Sequence, residues 1–344
     1  MAVALWLTAL GGFYLTTSPP LHLLKVLYGY WGFTTIFLFW AAMIKATRIW
    51  GGLEAQGKAF GFLDGGRGLV AALFGTLGVV IFSLIIPSGE ALESGAHSKE
   101  AFLHVIFISS IIVFIVGILT LFFLKLPQAD AVRYQVKTIS KANLTTVLKL
   151  PAVWLLMIII LCAYVGYKFT DIFSLYAKEV MNYNEVDAAK TGTYLLFIRP
   201  IVGVLIGFLA DRTRASYYLV AGFGVAIIGA LLFASNLIDP SMDLFFLLSV
   251  FLVALGVYAA RVLYFAVLQE GNIPLKLTGT AVGVISVIGY TPDIFAGPLM
   301  GYLLDNSPGR TGHQHVFITL ALFSFAGLIA SLFFVRTHKK EAKN

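Results

Sequence analysis

The sequence predicts an all-α membrane protein of ten transmembrane helices, on three observations. Apolar residues make up 59% of the 344-residue chain and charged residues only 12%, whereas a soluble domain is about half apolar and a quarter charged. The mean hydropathy is +0.90. The apolar residues also fall in runs of about twenty, the length that crosses the hydrocarbon core as a helix, without the strict alternation of a barrel strand. Hydrocarbon offers the backbone no hydrogen-bond partner, so such runs must satisfy their peptide groups internally, as helices.

The same numbers exclude other classes. A net charge of +7 would suit nucleic acid only as a basic patch on a soluble face, and here the charges lie between apolar runs, so no nucleic-acid partner is expected. The single cysteine, Cys162, lies within an apolar run, can form no internal disulfide and reads as packing. The opening residues MAVALWLTALGGFYLTTSPP carry no Lys or Arg before their apolar core, as a secretory signal would, and read as a spanning helix.

Spans are expected near 1–19, 24–44, 63–86, 102–124, 151–170, 190–210, 216–237, 244–267, 278–303 and 315–335. Most contain several Gly and Phe and are apolar all round, as helices facing lipid and one another should be. Their orientation follows from Lys and Arg, which are retained in cytoplasmic loops. Lys45, Arg48, Lys58 and Arg67 surround the second connection, and Lys125, Arg133, Lys137, Lys141 and Lys149 fill the fourth. Arg212 and Arg214 occupy the sixth, Lys276 the eighth, and Arg336, Lys339, Lys340 and Lys343 the tail. The opposite connections carry fewer basic residues, in the company of Glu90, Glu93, Glu179 and Glu185. Both termini are therefore expected on the cytoplasmic side. The longest polar stretch, 126–150, is basic, bounded by Pro127 and Pro151, and reads as a linker between two helical halves.

Between two apolar runs, Gly207-Phe-Leu-Ala-Asp-Arg-Thr-Arg-Ala-Ser216 sets Asp211, Arg212 and Arg214 in a tight turn. A Gly near a helix end permits close helix approach. An Asp at the start of the next helix favours the positive end of its dipole, and Arg can bridge to acidic groups or helix C-termini. The pattern Gly207-x-x-x-Asp211-Arg212-x-Arg214 resembles the signature loop of the major facilitator superfamily, G-x-x-x-D-[R/K]-x-x-R, with Thr213-Arg214 where the family often has a further Gly. The resemblance implies a conformational latch of Gly207, Asp211, Arg212 and Arg214 that holds the cytoplasmic side shut in one state; the alternative is a short positive-inside loop.

That family has twelve helices in two six-helix halves, with the loop after the second helix of each. The resemblance then makes residues 1–125 the remainder of the N-terminal half (family helices three to six), 126–150 the central cytoplasmic linker, and 151–344 the C-terminal six-helix half with a cytoplasmic tail. Two family helices are unmatched, so a missing N-terminal segment is expected rather than a true ten-helix design. The stretches 57–75 and 277–305, GKAFGFLDGGRGLVAALFG and LTGTAVGVISVIGYTPDIFAGPLMGYLLD, are similar to a bacterial branch grouped with anion carriers, which implies the bacterial inner membrane. In these stretches Gly57, Gly61 and Gly65 repeat every four residues, as do Gly279 and Gly283. Each helix therefore begins with a small-residue face, a weak internal repeat that supports parallel halves. Gly297-Pro298-x-x-Gly301 reads either as a hinge or as ordinary membrane-helix composition.

An ionisable group in the bilayer needs a partner, a watery cavity or a route to the interface. Arg199 lies midway between Lys190 and Asp211, too deep to snorkel easily, and is the first choice for an anion ligand; its alternative is a structural ion pair. Arg261, near the cytoplasmic end of its span, either lines the path or snorkels. Asp293, in Tyr290-Thr-Pro-Asp293, either carries a proton or pairs with Arg199 or Arg261, and Pro292 frees a carbonyl beside it. Asp64 and Arg67 are spaced to form an ion pair, with Asp64 the second candidate proton carrier. Lys168 and Asp171 repeat that spacing at the outer end of their span, where Lys168 either attracts an anion or snorkels; Lys168 and Tyr290 complete the expected substrate-binding set.

No metalloprotease, Cys-rich metal, nucleophile-elbow or phosphate-loop pattern occurs in the sequence, so no enzyme activity, cofactor or metal is expected. The expected function is a secondary transporter of a small organic anion, working by alternating access with a proton as coupling ion, its partners being solute, ion and lipid bilayer. The alternatives are a sugar or drug transporter of the same superfamily, or a truncated chain that needs a partner to transport.

Overall fold

The computed structural model describes residues 1–85, 95–124 and 141–341. Every element among them is helical. In order they are α1 (Ala2–Leu15), α2 (Leu21–Gly51, with a π-helical stretch Phe33–Trp40), α3 (Gln56–Ile85), α4 (Gly95–Phe123), α5 (Lys141–Leu148), α6 (Pro151–Phe169) and α7 (Phe173–Glu179). They continue as α8 (Glu185–Asp211), α9 (Ala215–Ala234), α10 (Asp243–Leu263), α11 (Thr278–Gly289), α12 (Pro292–Asn306) and α13 (Arg310–Glu341). Among the described residues, eight helical segments are long and apolar enough to cross a membrane, and α1 is a shorter apolar helix.

Each expected span falls on one of these helices or on a consecutive pair, with three differences. The span expected at 151–170 continues through a 3-10 turn, Thr170–Ile172, into α7. The span expected at 278–303 is broken: α11 ends at Gly289 and Pro292 opens α12 at its first position, where a missing N–H costs nothing and the fixed φ suits a new helix. The expected linker 126–150 ends in the helix α5, while residues 126–140 lie outside the described residues.

The chain divides into two compact units. The first comprises residues 1–46 and 70–140. Within it α1 packs on α4, with Gly12 against Ser110 and Gly117 against Trp6, and with ring contacts Phe13–Phe107 and Trp6–Phe114. Polar groups of α2 find partners on α1: the Tyr30 hydroxyl donates to the Leu7 carbonyl at 2.6 Å, and the Trp31 indole N–H to the Thr8 carbonyl at 3.0 Å. A polar group in the bilayer interior must be satisfied in this way by the protein.

The second unit comprises residues 47–69 and 141–344, so the first half of α3 belongs to it. Its core is a cluster of buried aliphatic residues around the rings of Phe169, Phe173, Tyr176, Phe233, Phe246 and Phe317. Here α3 lies along α8 through small residues. Cβ atoms at Gly57, Gly61 and Gly65 would meet the Gly207, Gly203 and Pro200 carbonyl oxygens respectively. The pairs run in opposite sequence order, so the two helices are antiparallel, with their backbones in contact. By contrast, Cβ atoms at Gly279 and Gly283 would meet nothing within 4 Å among the described residues.

At Gly61 an added side chain would press on the Gly203 carbonyl oxygen, 2.6 Å from the Cβ position, whereas Gly66, on the same helix, faces nothing within 4 Å. Gly61→Val is therefore expected to cost about 1–3 kcal/mol, read as a lower midpoint of thermal unfolding in detergent. Gly66→Val should leave the midpoint unchanged; equal losses would show that the α3–α8 backbone contact is not what Gly61 serves.

Candidate functional site

Ionisable side chains from α3, α6, α8 and α10 meet in the interior of the second unit. Asp64 on α3 takes a two-pronged contact from Arg199 on α8, with Nη2 at 2.7 Å from Oδ1 and Nε at 3.1 Å from Oδ2. This is the fork-to-carboxylate geometry of the strongest protein hydrogen bonds. Arg261, in the last turn of α10, adds its Nε at 3.3 Å from Asp64 Oδ1. Arg67, one turn along α3, stands 3.9 Å from the same oxygen. Asp64, Arg199 and Arg261 are all buried. One carboxylate thus faces three guanidinium groups, and Arg261 Nη1 is a buried donor with no hydrogen-bond partner.

Backbone packing puts the carboxylate and the fork within reach. Pro200 follows Arg199 and lies against Gly65 and Gly68, which leave the room that lets α3 approach. Tyrosines of α6 then form a wall. The Arg261 guanidinium lies 3.3 Å from the centre of the Tyr167 ring and 5.6 Å from that of Tyr164, and Arg199 is 5.3 Å from the Tyr167 centre. A cation over an aromatic face gains about 2 kcal/mol when desolvated.

Tyr164 links this cluster to a second ion pair. Its hydroxyl donates to Asp293 at 3.1 and 3.2 Å, and Lys168 Nζ lies 2.8 Å from Asp293 Oδ1. Tyr164 also meets the Tyr290 ring edge-on at 4.7 Å, and the Tyr290 and Tyr264 hydroxyls are 3.1 Å apart. Asp293 opens α12, where the helix dipole favours a carboxylate.

Several sequence expectations meet a different geometry. The Asp64–Arg67 pair is the longest of the three contacts to Asp64, because helix α3 starts at Gln56 and carries Asp64 inward beside Arg199. Asp293 pairs with Lys168 rather than with either arginine. Asp211 serves a helix other than the one that follows it: its carboxylate accepts from the Gly57 N–H at 2.6 Å and the Lys58 N–H at 2.8 Å, capping α3. The cap of α9 is Glu270, which accepts from the Ser216 N–H at 3.2 Å. Asp211 and Arg214 border a polar cavity of about 640 Å³ shared with Glu54 and Glu270, while Arg212 is exposed.

Residues that sequence reading passed over include Tyr164, Tyr167 and Tyr264. Their signal is partly present, since Tyr164, Tyr167 and Lys168 recur at helical spacing on α6. Arg48, in sequence one of the basic residues that set the topology, is buried and donates to Thr278 Oγ1 at 2.7 Å and the Ile273 carbonyl at 2.6 Å.

A helical multi-pass membrane protein with a charged cluster inside its bundle has the character of a carrier. Its affiliation is specific: the Major Facilitator Superfamily model matches residues 1–292, and the chain belongs to that superfamily of transporters. It is 28% identical to the inner membrane protein YihN of Escherichia coli (strain K12), across 100% of this chain and 80% of YihN. To the inner membrane protein YqcE of the same organism it is 25% identical, across 92% of this chain and 73% of YqcE. Among solved structures, the transporter FucP in an outward conformation superposes with a TM-score of 0.72 at 15% identity, covering 97% of this chain and 82% of FucP. A bacterial homologue of the iron transporter ferroportin, outward-facing, gives 0.66 at 14% identity, covering 97% and 82%. At these identities the two structures speak for the fold alone.

Burial separates the two ion pairs. Arg199→Gln leaves Asp64 short of its fork, and removal of one partner of a buried pair costs about 3–5 kcal/mol. Lys168 and Asp293 have side chains 31% and 46% exposed, so Lys168→Gln, which strips a less buried carboxylate of its partner, is expected to cost less than Arg199→Gln. Unfolding of the purified variants in detergent checks the contrast; equal losses would contradict it.

Proposed function

We propose that the protein is a secondary transporter that moves a small organic anion by alternating access, with a proton as the coupling ion. The observation that carries this reading is the charge imbalance at the cluster: one buried carboxylate, Asp64, against two buried guanidinium groups, Arg199 and Arg261, with Arg261 Nη1 unfilled. An uncompensated cation inside a bilayer is costly, and such groups mark solute and ion pathways. An entering carboxylate, sulfonate or phosphate group would supply the missing charge, and arginine's planar fork suits it. Arg199 and Arg261 bind the anionic head, Tyr290 and Lys168 border the seat, and Asp64 or Asp293 takes the proton.

The remaining parts follow the superfamily plan. Residues 1–125 and 151–344 act as two halves joined by 126–150, and the turn Gly207, Asp211, Arg212 and Arg214 acts as a latch because Asp211 ties α8 to the start of α3. We place the chain in a bacterial inner membrane with both termini cytoplasmic; the names of YihN and YqcE and the distribution of basic residues support this. A neutral sugar is the second reading, favoured by the tyrosine hydroxyls and by a solved neighbour described as a fucose:proton symporter, with a TM-score of 0.70.

The test is uptake by proteoliposomes under an inward proton gradient, with a panel of labelled organic anions and their neutral sugar counterparts. Uptake of an anion is expected, abolished by a protonophore and reduced at least about tenfold in Arg261→Gln, the equivalent of one lost charge-assisted hydrogen bond. Uptake confined to neutral sugars and unchanged in Arg261→Gln would overturn the anion assignment.

A further inference from the structure

We infer that Asp64 is the internal occupant of the solute's seat: the ionised Asp64 carboxylate and the transported anion exclude one another on Arg199 and Arg261, and Asp64 receives the coupling proton when the solute displaces it. This rests on the anion reading above and decides between the two carboxylates that reading leaves open.

Geometry comes first. Asp64 holds the Arg199 fork in the manner any external oxyanion would adopt. It reaches Arg261 only through Nε at 3.3 Å and leaves Nη1 without an acceptor. The seat is therefore half filled by the protein's own carboxylate. In the exchange the solute oxyanion takes Nη1 and the Arg199 fork as Asp64 leaves. Asp293 has no such role, because it is held by Lys168 and Tyr164 and makes no contact with Arg199 or Arg261 among the ion pairs of the described residues.

Charge then fixes the proton. Asp64 faces Arg67 on its own helix, Arg199 from α8 and Arg261 from α10. From α6 come Tyr167, whose hydroxyl lies 3.5 Å from Arg199 Nη1, and Tyr164. Asp171 and the Lys168–Asp293 pair lie beyond, with the hydroxyls of Tyr264 and Tyr290. If a monoanion entered while Asp64 stayed ionised, a buried carboxylate would lose its fork, a strongly unfavourable step. If a proton from the aqueous side lands on Asp64 Oδ2 as the solute takes the guanidinium groups, one negative charge faces them before and after. No other bond forms or breaks. One proton accompanies one monoanion, and the exchange is electroneutral.

The test of the seat needs no knowledge of the solute. Asp64→Ala removes the carboxylate and leaves room for formate, the smallest carboxylate. Purified Asp64→Ala protein is expected to gain several degrees in unfolding midpoint in sodium formate over sodium chloride at equal ionic strength. The wild-type protein should gain much less, and Asp64→Ala combined with Arg261→Gln should lose the gain. If Asp64→Ala is too unstable to purify in chloride, the yield of monodisperse protein in formate against chloride makes the same comparison. Equal responses of wild type and variant, or none, would overturn the inference.

A structural ion pair would also be rescued by formate, so the second readout is coupling. For an anion that the wild-type protein accumulates, Asp64→Asn should keep solute exchange and lose the response to the pH gradient. Loss of exchange and gradient response together would overturn the proton role. Rescue without anion uptake by the wild type would sink the transport reading and keep the seat; anion uptake lost in Arg261→Gln without rescue would do the reverse.

Discussion

A carboxylate held between two guanidinium groups inside a membrane bundle is the constraint on which the second unit depends. In water such a pair is worth little, but in the low dielectric of the interior each charge left alone would cost several kcal/mol. Asp64, Arg199 and Arg261 must therefore be brought together or not be charged at all. Asp64 lies 135 residues from Arg199 and 197 from Arg261 in sequence, so the backbone has to deliver them. The glycine face of α3 against Gly203 and Gly207, with Pro200 beside Gly65 and Gly68, sets the distance between α3 and α8. The Tyr167 ring fixes Arg261 in the direction across the cluster.

The same glycines serve the turn at the end of α8. Asp211 can reach the N–H groups of Gly57 and Lys58 only because residue 57 has no side chain: a Cβ there would fall between the Gly207 carbonyl and the Asp211 carboxylate. A carboxylate at a helix N-terminus satisfies orphan donors and meets the positive end of the dipole, together worth about 1–2 kcal/mol. Arg48, buried against Thr278 and the Ile273 carbonyl, and Gln269, which donates to the Leu53 carbonyl at 2.9 Å, add polar ties between residues 47–69 and the C-terminal helices. Each tie is a hydrogen bond that water can replace, whereas the central ion pair cannot be broken without a substitute for one of its charges.

Much of this was legible in the sequence, and the reason it was legible is that lipid simplifies the reading. A run of apolar residues has one backbone solution in hydrocarbon, so the spans could be placed from composition alone. Arg199 stood out because no charge belongs at that depth, and the Gly57, Gly61 and Gly65 spacing announced a close helix contact. What the sequence withheld was partnership. Nothing in the turn 207–216 tells that Asp211 caps α3 while Glu270, far along the chain, caps α9. The break at Gly289–Pro292 is half visible, since Pro292 stands inside one apolar run that is long enough for an unbroken span. Tyr164 and Tyr167 were hidden for another reason: in a chain with 15 tyrosines and 29 phenylalanines, an aromatic residue is unremarkable until a guanidinium is seen over its face.

Buried ion pairs are poor devices for stability, because apolar residues of the same shape often hold a core as well or better. Their advantage is that they can be exchanged. A packed Leu has no equivalent in solution that could take its place, but a carboxylate does, and any solute bearing one competes for the same guanidinium groups. In the proposed mechanism a clamp made of Asp64, Arg199 and Arg261 therefore holds when the seat is empty and yields to a ligand of one chemical class, provided the displaced carboxylate is neutralised as it leaves. A carrier needs a contact that is tight without solute and negotiable with it, and among side-chain interactions a half-satisfied arginine fork on a buried carboxylate meets both requirements.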